Sequence, residues 1–181
     1  LSSMAERNLV KVALSVTTLD RKLARSMEPR AATPERRLEA LELLSAAGIP
    51  TAAMCAPVIP ALNDPEIETI LTRAKAAGAS EAGYVVLRLP LEISDLFQEW
   101  LTENAPDRAS RVMSLVRQMR GGKDYDPAWG KRMRGQGPYA WQIGRRFELA
   151  TKRLGLNKKH FGLRTDLFQP PVLPGQQMAL L

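Results

Sequence analysis

Two nearly identical starting signals, Thr33-Pro34-Glu35 and Asp64-Pro65-Glu66, constrain this chain more than any other feature. Each joins a short polar residue, a proline fit for the first turn of a helix, and an acid that favours the positive helix end. After the first, Leu38, Leu41, Leu44 and Ala47 recur at helical spacing and Gly48 closes the helix. After the second, Ile67, Ile70, Leu71 and Ala74 do the same up to Gly78. Apolar runs lie between and around them. "NLVKVALSV" (8–16), "IPTAAMCAPVI" (49–59) and "GYVVLRLP" (83–90) read as strands, giving the order strand, helix, strand, helix, strand. Continuous apolar strands joined by crossover helices imply a parallel sheet with helices packed on it, so the fold class is α/β.

The first strand runs into Ser15, Thr17, Thr18 and Asp20, followed by a polar excursion, "RKLARSMEPRAA". The second leaves through "APVIPALNDPE", where Pro57 and Pro60 stiffen the exit and Asn63 or Asp64 caps the next helix. Loops at the carboxyl ends of parallel strands are where α/β proteins bind ligands. Hydroxyls and Asn suit diols, and arginine forks suit carboxylates. Ser15, Thr17, Thr18, Arg30, Arg37, residues 57–64 and Arg88 therefore form a candidate site for a small polar ligand, with Glu28 beside Arg30 as an ion pair. Arg88 sits inside an otherwise apolar strand and needs a partner, either Glu28, Glu92 or a ligand. Three strands alone leave sheet edges exposed.

After Pro90 the character changes. Residues 91–104 and 106–122 read as helices, the second stopped by Gly121-Gly122. A connector with glycines and aromatics covers 123–141, and 140–157 reads as an amphipathic helix ending near Gly155. The tail, with its prolines, reads as a loose extension. Residues 1–105 hold 11 Lys+Arg against 14 Asp+Glu, whereas residues 106–160 hold 14 against 4. The net charge of +7 is thus the property of one segment. Tyr125, Trp129, Tyr139 and Trp141 interleave there with Lys123, Lys131, Arg132 and Arg134, a pattern suited to a nucleic-acid partner. A solvated basic face is the alternative.

Catalytic groupings are missing from the sequence. The lone His160 lies in "NKKHFG", Cys55 lies mid-strand among Ala and Met, and neither a glycine-rich phosphate loop nor a set of metal ligands is present. A hydrophobic content of 45% with 25% charged residues suits a globular protein, and no apolar run reaches the roughly 20 residues that span a bilayer. One cysteine and no secretory pattern at the first residues point to the cytoplasm.

Residues 8–90 resemble the latter half of a radical SAM core, closest to the spore-photoproduct-lyase-like proteins also called DNA repair photolyases. The elements that carry the likeness are "SVTTLD", "MEPRAATPERRLEAL", "AGIP", "APVIPALND" and "LRLP", in this order and spacing. The resemblance implies a partial (β/α)6 TIM-type barrel, of which these strands would be the fourth to sixth. It also implies S-adenosylmethionine and a [4Fe–4S] cluster, with reductive cleavage of the former to a 5′-deoxyadenosyl radical. Ser15 and Thr17 would then hold the ribose or methionine part and Arg30 or Arg37 the carboxylate. Pro57 to Ile59 with Leu87 to Leu89, hence Arg88, would flank the adenine. The family's Cys-x3-Cys-x2-Cys loop has no counterpart among these residues. The expectation is therefore the carboxyl-side portion of such an enzyme, inactive without the barrel's amino-terminal half. Its divisions would be 1–90 (half-barrel), 91–168 (basic helical extension) and 169–181 (tail). The competing expectation is a nucleic-acid-binding module without catalysis, its contacts at Lys123, Trp129, Lys131, Arg132 and Arg134.

Overall fold

A computed structural model describes residues 1–158 and 161–170, so His160 and nearly all of the expected tail lie outside the described residues. A short helix α1 (Ser2–Ala5) precedes β1 (Val12–Ser15), α2 (Arg21–Met27), α3 (Pro34–Ala46) and β2 (Thr51–Val58). A 3-10 turn (Asp64–Glu66) leads into α4 (Ile67–Ala76) and β3 (Glu81–Val86), followed by α5 (Ile93–Asn104), α6 (Pro106–Gln118) and α7 (Gly137–Leu154). The strands form one parallel sheet in the order β1-β2-β3, with Val12 opposite Thr51 and Ala52 opposite Glu81.

α3 starts where the sequence signals it should: Thr33 accepts a hydrogen bond from the Arg36 N–H at 3.4 Å and Pro34 opens the first turn. Its Leu38 and Leu41 meet Ala53 and Cys55 of β2, together with Ile67, Ile70, Leu71 and Ala74 of α4. α7 completes this layer through Ile143, Phe147 and Ala150, with the Phe147 ring 4.7 Å from that of Tyr84 on β3. Leu41, Leu71 and Ile70 are almost wholly buried, each worth about 1.5–3 kcal/mol of apolar transfer. α7 thus shares one core with β2, β3, α3 and α4. Gly78 is obligatory, because its φ is +89° and an added Cβ would run into the Ser45 side chain.

A second cluster sits at the carboxyl ends of the strands. Ile59 and Leu62 after β2, and Leu87 and Leu89 after β3, pack with Phe97, Leu101, Val112, Met113 and Val116 of the α5–α6 hairpin. Leu23 and Met27 join them from the stretch expected to be a polar excursion. That stretch is helix α2, capped by the Asp20 carboxylate, which accepts from the Lys22 and Leu23 N–H groups at 2.7 and 3.3 Å. Two apolar residues one turn apart are too few to reveal a helix by periodicity.

β3 ends at Val86, so Arg88 lies beyond the strand rather than inside it. The expected exposed edges are realised on one side only. Beyond β3, the Val86 N–H donates to the Met133 carbonyl at 2.8 Å. Asn157 mimics a strand there: its amide oxygen accepts from the Ala82 N–H at 2.8 Å and its amide nitrogen donates to the Ala82 carbonyl at 3.0 Å. β1 pairs with no second strand on its outer side among the described residues, where the Arg37 side chain reaches the Ser15 carbonyl, and Ala13 and Ser15 are exposed.

Candidate functional site

Asn63 organises the strand-end loops. It is 2% exposed, and its amide oxygen accepts from the Ile59 N–H at 2.6 Å. Its amide nitrogen donates to the Thr17 carbonyl at 2.8 Å and the Pro57 carbonyl at 3.0 Å. One side chain thereby ties the loop after β1 to the loop after β2. It does not cap the following helix, and neither does Asp64. Glu66 adds a second tie, accepting from the Thr18 hydroxyl at 2.6 Å and the Leu19 N–H at 2.5 Å. The rigid "APVIPALNDPE" exit is therefore a brace between two loops.

Ser15, Thr17, Glu28 and Arg37 come together beside this brace. The Arg37 guanidinium donates to the Ser15 carbonyl at 2.9 Å, the Ala32 carbonyl at 2.9 Å and Glu28 at 2.9 Å. The Thr17 hydroxyl lies 3.3 Å from the Glu28 carboxylate and 3.2 Å from the Ala56 carbonyl. Glu28 thus pairs with Arg37 and not with Arg30 as expected. The cavity beside them measures about 10 Å³, room for one water. Arg30 is exposed and makes no ion pair or hydrogen bond among the described residues, so of the two arginines it is the one left for an incoming anion.

The other expected contacts disperse. Pro57 is half-buried and serves through its carbonyl, while Ile59 is fully buried in the second core cluster. Arg88 finds neither Glu28 nor Glu92. It donates to the Tyr125 hydroxyl at 3.3 Å and to the Met133 sulfur at 3.9 Å. Arg120, which the sequence did not single out, is 3% exposed and donates to the carbonyls of Lys131 and Leu87, both at 2.9 Å. It stitches the connector to the exit of β3, and burial pushes its pKa below the usual arginine value. An arginine on an amphipathic helix beside Gly121-Gly122 reads as surface, so no sequence signal marked it.

The face of the sheet away from α3 and α4 carries Ala, Ser and Gly side by side with Met54 and Val85. Ala13 and Ser15 are exposed there, and Met54, Ala56, Gly83 and Val85 are half-buried. Gly83 is tight against β2, since an added Cβ would lie 2.9 Å from the Met54 sulfur. The Ser15 side chain lies on this face, and the Met54 side chain lies close to Gly83.

Cys55 faces the helices instead. It is 2% exposed, and burial, with the charge of Glu68 second, pushes its pKa up to about 12. Iron–sulfur clusters are held by thiolates, so this thiol does not fit a cluster ligand. Among the described residues no group of three His, Cys, Asp or Glu side chains is placed to hold a metal ion.

In the basic segment the aromatics divide. Tyr139 donates to Asp64 at 3.0 Å and Tyr125 accepts from Arg88, whereas Trp129 and Trp141 are 86% and 71% exposed. The Arg132 guanidinium lies 4.4 Å from the centre of the Trp129 ring, and that of Arg134 lies 3.7 Å from the centre of Tyr84. Lys123 and Lys131 are exposed.

This strand–helix–strand geometry can be set against known proteins. Residues 1–74 match the radical SAM superfamily. The match ends within α4, so it covers β1, β2 and the braced loops, and it supports membership in that superfamily. Uncharacterized proteins of Mycobacterium tuberculosis (strain ATCC 25618 / H37Rv) and Mycobacterium bovis (strain ATCC BAA-935 / AF2122/97) are each 32% identical over 119 residues. The aligned part is 65% of this chain and 35% of either relative, so the chain matches only about a third of their length. No solved structure matches. No helix among the described residues is long and apolar enough to cross a membrane.

Proposed function

We propose that this chain is the carboxyl-side wall of a radical SAM enzyme, the fourth to sixth strands of a partial (β/α)6 barrel, and that it acts with preceding strands and a cluster-bearing loop. The observation that carries this reading is the asymmetry of the sheet. β3 is closed off by Met133 and Asn157, while β1, inside the superfamily match, pairs with no second strand among the described residues and only its Ser15 carbonyl is met, by the Arg37 side chain. The donor set here does not fit an iron–sulfur cluster, so its ligands would come from outside these residues. S-adenosylmethionine fits better: a floor of Ala13, Ser15, Ala56 and Gly83 would accept it, Ser15 would hydrogen-bond it and Arg30 would hold its carboxylate. Thr17, Glu28, Arg37 and Asn63 would keep the loops in place. The cofactor pair, when bound, supplies a one-electron route to hydrogen abstraction. The order and spacing of "SVTTLD", "APVIPALND" and "LRLP" support a place in the spore-photoproduct-lyase-like branch, with lyase-type chemistry.

The test uses the intact gene product that carries this chain, reconstituted anaerobically with iron and sulfide, reduced, and given S-adenosylmethionine. Formation of 5′-deoxyadenosine, and weaker cofactor binding when Ser15→Phe fills the floor, are the expected results. A cluster-loaded protein that neither binds S-adenosylmethionine nor yields 5′-deoxyadenosine would overturn the reading.

A further inference from the structure

The basic segment carries a hollow of about 330 Å³ on the helix-covered side of the sheet, lined by Tyr84, Arg134, Trp141, Arg145 and Glu148. Gly144 in its wall leaves room beside Tyr84, since a Cβ there would lie 2.9 Å from the Tyr84 hydroxyl. The Arg134 guanidinium lies over the Tyr84 ring, and Trp141 stands 71% exposed beside them. Glu148, the acid of the group, is paired with Arg145 at 2.9 Å. On the same connector Trp129 is still more exposed, with Arg132 over its ring. Residues 106–160 carry 14 Lys+Arg against 4 Asp+Glu.

We propose that this outer surface binds single-stranded nucleic acid, with one base stacking on Trp141 in the hollow and Arg134 and Arg145 meeting the adjoining phosphates. Exposed indoles cost free energy in water, and a base is a flat partner that covers one without requiring a particular sequence. The excess of cations supplies the complementary charge to the strand's backbone. Ser15, Met54 and Gly83 lie on the opposite face of the sheet, so this surface would grip a strand away from any chemistry on that face. The Trp129–Arg132 pair offers a second stacking position on the same segment.

The experiment is fluorescence anisotropy with a labelled oligothymidylate of about 12 nucleotides, within the span of known stacking sites. The intact gene product is used without metal, so failure of the radical SAM reading would leave the result unaffected. Binding at low salt should weaken steeply as salt rises, with a log–log slope of about −0.7 per phosphate contacted. Trp141→Ala should weaken it about tenfold, Trp141→Phe should restore most of that, and Arg134→Ala should reduce the salt slope. Leu43→Ala, at an exposed site on α3, should change nothing. A duplex of the same length, its base faces already stacked, and a mononucleotide should both bind more weakly. The proposal is overturned by no binding at low salt, by a Trp141→Ala variant that binds like the parent, or by duplex or mononucleotide binding as tightly as the strand.

Discussion

Asn63 spends its whole amide on backbone groups of two different loops. Replacing it with alanine leaves the Ile59 N–H and the Thr17 and Pro57 carbonyls without their partner in a buried place. A loss of about 2–4 kcal/mol is expected, read as a lowered urea midpoint with unchanged slope, because each stranded group costs about 1–3 kcal/mol and some will reach water. Asn63→Asp should be nearly as costly, since a carboxylate cannot donate to the two carbonyls. A midpoint within error of the parent would contradict the brace. Cys55 gives a second prediction at this scale. With its pKa pushed up to about 12, the native thiol should not react with a disulfide reagent at pH 8 and should react once the chain is unfolded. The folded state also holds that proton where the unfolded state has lost it. The stability it contributes is therefore complete below about 9 and disappears as pH rises toward about 12. Rapid native labelling at pH 8 would show that the thiol is not buried as described.

At the scale of elements, α7 is locked to the start of α4 by Arg146. Its guanidinium bonds both oxygens of Glu68, at 2.8 and 2.6 Å, and reaches the Asp64 carboxylate at 3.4 Å. The Arg146 hydrogen bond holds the Glu68 pKa below the usual carboxylate range. Stability from that pair is present above the ordinary carboxylate pKa and is lost as pH falls through the lowered value. Arg146→Ala leaves the buried Asp64 carboxylate short of a cation and should cost about 2–4 kcal/mol in thermal or urea unfolding. The same variant should blunt the acid-side loss of stability, and an unchanged acid limb would argue against the lock. The helices α3 and α4 are legible in the sequence because proline, acid, apolar stripe and terminal glycine agree for each, although the side-chain cap forms only at Thr33 and Asp64–Glu66 makes a 3-10 turn ahead of α4. α2 was not, because two apolar residues make no stripe, and β3 was read too long because "LRLP" continues its apolar run after the ladder has ended. The sequence expects a site at the loops after β1 and β2, and the structure brings Thr17, Glu28 and Arg37 together there. How Asn63, Glu66 and Arg37 are used there was hidden, because local sequence does not say which distant carbonyl a polar side chain will find.

For the whole molecule, the helix-covered face, the closed β3 edge and the buried thiol fit the proposed wall, which would pair at β1 with a further strand and take its cluster ligands from outside the described residues. Amide hydrogen exchange on the intact gene product should find β1 as protected as β2 if preceding strands pair with it. In this chain by itself Ala13 and Ser15 should exchange fast. Equal protection in both would mean that β1 has no such partner strand. The most direct measurement is the iron and sulfide content of the anaerobically reconstituted intact gene product, for the parent and for Cys55→Ala. The account predicts about four iron atoms per chain in both, since the proposed cluster would be held by thiolates elsewhere and not by Cys55. Loss of iron in Cys55→Ala, or an intact protein that takes up no iron, would contradict it.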